Sequence, residues 1–156
     1  MDTKVIVLVQ ALRYALPMTA VLRVVRAVEV TGYPSASERF QGVIDVAGEV
    51  IPVLDLRRIL GVDEVPIEVD SAMLVVATSR AKLVLPVDEV CGVGRLAEAT
   101  HPEGTSLHAD CINAFLCDER GLVFEIDVER LANETDLATF AFTRQVSGVA
   151  AGSGAT

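Results

Sequence analysis

Tryptophan is absent from this chain, and aromatic residues together make up only 4% of it. A core built from rings is thereby excluded, and packing has to come from aliphatic side chains. These are plentiful, since 51% of residues are hydrophobic and mean hydropathy is +0.46. Positive charge is scarce as well. The 13 Lys and Arg are outnumbered by 22 Asp and Glu, giving a net charge of -9 and a pI near 4.6. That balance argues against a nucleic-acid partner, because phosphate binding needs clustered cations, and it fits an acidic solvated face on a greasy protein. Long apolar runs are missing too: Gln10, Arg13, Arg23 and Arg26 interrupt the N-terminal half before any stretch could cross a bilayer. The opening stretch is not expected to act as a secretion signal, since Asp2 offsets Lys4 and the apolar run at 5–9 is short, so a cytoplasmic location is expected. Cysteine is limited to Cys91, Cys111 and Cys117, an odd number without a C-x-x-C pair, which predicts reduced, mostly buried thiols.

What the sequence does contain centres on residues 42–61, GVIDVAGEVIPVLDLRRILG. Val43, Ile44 and Val46, then Val50, Ile51, Val53 and Leu54, carry the β-branched and aliphatic content of two strands buried on at least one face. Between them the polar break at 45–49 includes Gly48, which can take the positive φ of a tight turn. Asp55 then precedes Leu56-Arg57-Arg58-Ile59-Leu60 as a helix N-cap, and Gly61 closes that short helix.

Elsewhere the pattern predicts strands at 4–10 and 13–16, a brief turn at 18–22 followed by a strand, and further strands at 72–77, 82–85 and 90–96. A hairpin is expected from 112–117 and 122–126. Residues 31–41 read as a loop with one helical turn at Ser35 and Glu38, 62–70 as an acidic connector, 97–110 as a polar loop, 134–142 as a helix and 144–156 as a disordered tail.

The chain also repeats itself. Leu16-Pro17, Val21 and Val24 have the mutual spacing of Leu85-Pro86, Val90 and Val93, while Leu54-Asp55-Leu56, Arg58 and Ile59 match Ile126-Asp127-Val128, Arg130 and Leu131. Two blocks recurring in the same order at an offset of about seventy residues indicate a duplicated β unit. The expected fold is therefore mostly β, with two antiparallel units of about five strands each closing into small barrels. A single domain over 4–140 is expected, divided in sequence into 4–62 and 70–132, and whether the halves exchange a strand stays open.

Reactive groups are sparse. His101, His108, Asp110 and Cys111 are the one cluster with metal-ligand residue types, but their spacing matches no standard zinc arrangement, so no metal and no cofactor are expected. A small metal-dependent enzyme built on that loop is the remote alternative. No nucleophile elbow or dinucleotide loop is present, and Asp55 and Asp127 have a simpler use as helix caps than as paired catalytic carboxylates.

The 42–61 stretch resembles the signature of the CheW family, adaptors of bacterial chemosensory arrays, with a pattern of roughly G-x-I-x-x-R-G-x-V-I-P-V-x-D-L-R-x-x-x-G. Gly42, Ile44, Gly48, Val50, Ile51, Pro52, Val53, Asp55, Leu56, Arg57 and Gly61 fit it. Likeness extends to Tyr14-Ala15-Leu16-Pro17, Val21, Val24-Val25, Leu85, Val87-Asp88, Val90, Ile126-Asp127 and Leu131, covering residues 4–132. The resemblance implies a pair of SH3-like five-stranded β-barrels with short helices and no catalytic activity. It also implies two partners, the cytoplasmic tip of a chemoreceptor and a CheA-type histidine kinase whose regulatory domain has the same double-barrel fold. By motif position, Val21, Arg23, Val24, Ala47, Gly48 and Val87 are the candidate receptor-facing residues, and recruitment to membrane receptor arrays follows. Two positions depart from the family pattern: Arg23 stands where Glu is common, and Ala47 where Arg is common. Loss of both leaves no unpartnered charge, and the pair could equally mark a diverged coupling protein serving pili, surface behaviour or gene expression.

Overall fold

The computed structural model describes residues 2–32, 40–61, 71–99 and 111–132. The helical turn expected at Ser35 and Glu38, the connector 62–70, both histidines with Asp110, the helix expected over 134–142 and the tail 144–156 lie outside those residues.

Two sheets account for the described strands. The first, barrel A, contains β1 (Thr3–Val9), β2 (Leu12–Pro17), β8 (Glu89–Arg95), β9 (Ala97–Glu98), β10 (Ile112–Asp118) and β11 (Gly121–Ile126), in the order β8-β1-β2-β11-β10-β9. Its two outer strands, β8 and β9, are separated in the chain by Leu96 alone, so a bend in one nearly continuous strand closes the barrel. The second, barrel B, contains β3 (Val21–Arg26), β4 (Phe40–Val46), β5 (Glu49–Leu54), β6 (Ala72–Ala77) and β7 (Lys82–Val87), in the order β3-β6-β7-β5-β4. Here the chain following β3 returns to the far edge, where Thr31 and Val43 exchange N–H to carbonyl bonds of 2.9 Å each.

The sequence halves are not the halves in space. The β1–β2 hairpin belongs to the barrel completed by β8 to β11, and the β6–β7 hairpin to the barrel built on β3 to β5. The division at 62–70 is thus one of sequence, and each repeat lends its first hairpin to the other repeat's barrel. Equivalent pairings follow in both barrels: β1 with β8 matches β6 with β3, both antiparallel. The parallel contact of β2 with β11 (Tyr14 opposite Phe124) matches that of β7 with β5 (Val84 opposite Val53).

Three apolar clusters explain why both faces of the exchanged hairpins are hydrophobic. Ile44, Ile51, Val53, Met73, Val75 and Val84 fill barrel B, and Ile6, Ala15, Leu96, Leu116 and Val123 fill barrel A. The largest cluster lies between the barrels and gathers Val5, Val7, Val9 and Leu16 from one hairpin with Leu74, Val76, Leu83, Leu85 and Val87 from the other. Successive strand residues point to opposite faces, so each hairpin wall fills its own barrel with one row and the central seam with the other. Pairing Lys4 with Glu125 (2.7 Å) and Arg13 with Asp118 places ion pairs on the rows that line barrel A.

Both short helices follow the duplicated motif. In α1 (Leu56–Leu60), Asp55 Oδ1 accepts the Arg58 N–H at 3.1 Å and Gly61 closes the helix at φ 73°. In α2 (Val128–Ala132), Asp127 Oδ1 accepts from the Glu129 and Arg130 N–H groups at 3.1 and 3.3 Å. Each helix also fastens the tip of an exchanged hairpin through its second residue. Arg57 pairs with Asp88, whose Oδ2 accepts the Gln10 N–H at 2.6 Å at the β1–β2 turn. Glu129 accepts from the Ser79 N–H at 2.9 Å and the Ser79 hydroxyl at 2.6 Å at the β6–β7 turn.

The β4–β5 turn is tighter than the five-residue break read from sequence, because Val46 already pairs with Glu49. Ala47 (φ 52°) and Gly48 (φ 88°) are its two central residues, both left-handed, and Asp45 Oδ1 accepts the Gly48 N–H at 2.8 Å. Such a turn favours Asn or Gly where Ala47 stands. Ala47→Gly should therefore raise stability by about 0.5–1 kcal/mol, read as a higher urea midpoint at unchanged slope.

Candidate functional site

Strand β3 and the β4–β5 turn meet at one end of barrel B. The antiparallel pairing of Val21 with Val76 sets the start of β3 beside the end of β6, and the β6–β7 turn then leads into Lys82. Strand β5 runs parallel to β7, and Lys82 Nζ contacts Glu49 Oε2 at 2.8 Å, which brings Ala47 and Gly48 to the same end. Five of the six residues chosen from motif position, Val21, Arg23, Val24, Ala47 and Gly48, accordingly share one region of the surface.

Their exposures differ for reasons the register makes plain. Directly opposed residues of an antiparallel pair share a face. Val21 faces the side of Val76 and packs partly against the central seam, and Val24 stands opposite the fully buried Leu74 but is itself 49% exposed. Val24 thus carries the inter-barrel core outward into solvent. Arg23, Ala47 and Gly48 are exposed. No ion pair or hydrogen bond joins Arg23 to the β4–β5 turn among the described residues, which fits the simultaneous change at both positions.

Val87 does not belong with them. It lies at the opposite end of β7, pairs with Ala72, and is 2% exposed in the central core. Its side chain is closed to any partner in the folded protein, so its place in the motif reflects packing. The connector residue after it, Asp88, was not chosen from sequence, yet it ties β7 to α1 and to the β1–β2 turn. A lone acid after a strand gives no signal of that linkage.

Reactive chemistry is thin among the described residues. No group of three or more His, Cys, Asp or Glu could hold a metal there. Asp55 and Asp127 spend their oxygens on backbone N–H groups, as the capping motif predicts. Only Cys111 of the three thiols is buried; Cys117 is intermediate and Cys91 exposed, so the expectation of mostly buried thiols fails. Burial and the nearby Glu89 still push the Cys91 thiol pKa up, away from a reactive thiolate. The hollow of about 440 Å³ lined by Arg95, Ala97, Cys117, Asp118, Glu119 and Arg120 mixes both charge signs, and its Asp118 is already held by Arg13.

That Arg13 contact is bidentate, at 2.7 Å on each oxygen, and its hydrogen bonds hold the Asp118 pKa down at about 2 from the ordinary 3.8. A depressed carboxyl pKa adds stability above the unfolded value, and that stability is lost as pH falls through the folded one. Carboxyl chemical shifts should therefore show Asp118 titrating near pH 2, and Arg13→Gln should return the midpoint to the region of 3.8.

The double barrel and its hairpin exchange agree with a family match: the CheW-like domain covers residues 4–136. The chain belongs to the CheW-like family. The crystal structure of the scaffolding protein TtCheW from Thermoanaerobacter tengcongensis is similar, with a TM-score of 0.74 and 24% identity over 87% of this chain and 96% of that one. No curated protein matches the sequence. CheW-like proteins are non-catalytic scaffolds, and this chain is a coupling or scaffold protein of chemotaxis-type signalling. Among the described residues no helix is long and apolar enough to cross a membrane.

Proposed function

We propose that this CheW-like chain is an adaptor joining the regulatory domain of a CheA-type histidine kinase to the cytoplasmic tip of a chemoreceptor, acting in the cytoplasm and recruited to membrane receptor arrays. Family membership over nearly all the described residues carries this reading. It is supported by a surface in which apolar strand residues such as Val24 and Val93, at equivalent repeat positions, are 49% and 61% exposed on opposite barrels. A scaffold needs two such places, because each partner must be held without displacing the other.

A second reading keeps the fold and changes the circuit: a diverged coupling protein serving pili, surface behaviour or gene expression. Arg23 and Ala47 favour it, since both are exposed, unpaired with each other, and unlike the residues common in the family.

Co-purification tests the adaptor. The regulatory domain of the histidine kinase encoded beside this chain should be retained by it at low salt as an equimolar complex, stable through size exclusion. A clean failure to bind that domain would sink the adaptor.

A further inference from the structure

The outer edge of β3 has no strand partner among the described residues, since β3 pairs only with β6. Along and beside that edge run four large apolar side chains, Met18, Leu22, Val24 and Val28, which are 48–50% exposed. Exposed apolar side chains in one continuous stretch mark a docking surface more often than chance solvation does. Two cations sit among them. Arg23 and Arg26 are exposed, and neither forms an ion pair with Glu29 or any other described residue. Elsewhere the basic side chains are engaged: Lys4, Arg13, Arg57, Arg58, Lys82 and Arg130 all contact carboxylates. In a protein of net charge -9, two free guanidiniums within an apolar strip are the exception that calls for acid from outside.

We propose that β3 docks a partner helix whose apolar face is bordered by carboxylates, with Met18, Leu22, Val24 and Val28 receiving the apolar side chains and Arg23 and Arg26 pairing with the acids. The helical form of the partner rests on the adaptor reading above; its charge comes from this strand. Interface charges fix register and suppress wrong partners more than they add affinity, so this strip selects acidic-bordered helices over basic ones. The negative charge of the whole protein opposes that partner at long range, and the contact has to be local.

Two soluble antiparallel helical hairpins with the same Leu/Ala face, one bordered by Glu and one by Lys, provide the test. The Glu hairpin should shift amide resonances at 18–28, and Arg23→Glu with Arg26→Glu should weaken it about tenfold while making the Lys hairpin the better ligand. Arg120→Glu, which changes net charge far away on barrel A, should leave both affinities unchanged. A second variant, Val24→Asp, should weaken both hairpins. Equal binding of the two hairpins, preference of the native strand for Lys, or shifts confined to other strands overturns the proposal. Kinase binding involves neither hairpin, so its loss falls on the adaptor reading, whereas hairpin failure with kinase binding intact falls on the assignment of β3.

Discussion

Replacing Gly42 with alanine should open barrel B. A Cβ at this position would lie 2.1 Å from the Thr31 carbonyl oxygen, 2.9 Å from its carbonyl carbon and 2.9 Å from a Val30 methyl. That oxygen accepts the Val43 N–H in the bridge that closes the barrel, so the new methyl displaces the closure itself. Two backbone hydrogen bonds at about 1 kcal/mol each, a positive φ unsuited to a side chain, and the overpacking together predict a loss of about 3–5 kcal/mol. Against a total of about 5–15 kcal/mol for a domain, that is a large share. Hydrogen exchange should show the Val43 amide losing protection ahead of β6 and β7. Gly48→Ala offers the contrast, because nothing lies within 4 Å of the added Cβ and only the φ of 88° is costly. About 1 kcal/mol is expected there. Similar losses for both variants would mean that steric closure at Thr31 is not what Gly42 protects.

Asp88→Ala should cost nearly as much, through charge. The Arg57 side chain is only 11% exposed, its Nη1 has no partner, and Asp88 supplies its carboxylate. The same carboxylate holds the Gln10 N–H in a two-residue turn where Gln10 and Ala11 both have positive φ. Removing it strands a mostly buried cation and frees a strained turn, a loss of about 2–4 kcal/mol, reduced from the fully buried case because Asp88 is 29% exposed. Asp88→Asn keeps an acceptor for Gln10 and should fall between. The decisive measurement is a double-mutant cycle: Arg57→Met combined with Asp88→Ala should recover much of the loss, since no unpaired cation remains. Strict additivity would show that the two side chains do not act as a pair.

Much of the fold was legible because local chemistry and repetition agreed. Asp55 and Gly61 announced a capped helix, and the recurrence of the motif at Asp127 gave the second one with the same bond pattern. What could not be read was which barrel each hairpin would join. In β1 and β6 consecutive residues such as Val5, Ile6, Val7 and Met73, Leu74, Val75 are all buried, so alternation says only that both faces are covered. The covering strands come from far along the chain, as in the pairing of Tyr14 with Phe124, and no local pattern encodes that. Val87 was misjudged for the same reason, as the central seam that buries it exists only after the hairpins have crossed over. Ala47 was missed as a backbone-strained position because the adjacent Gly48 seemed to satisfy the turn by itself, while a two-residue loop requires left-handed geometry at both. Exposure along β3 was half visible: Arg23 and Arg26 interrupt an otherwise apolar run, yet the register that turns Val24 outward depends on β6.

The crossed hairpins also govern how the protein can be made. Translation delivers β1 and β2 first, but β10 and β11, which complete their barrel, arrive last. Until the ribosome has finished nearly the whole described chain, that early ribbon is an apolar orphan awaiting its neighbours. Neither repeat expressed alone contains a full set of walls, whereas the two made as separate polypeptides contain everything between them and should find each other.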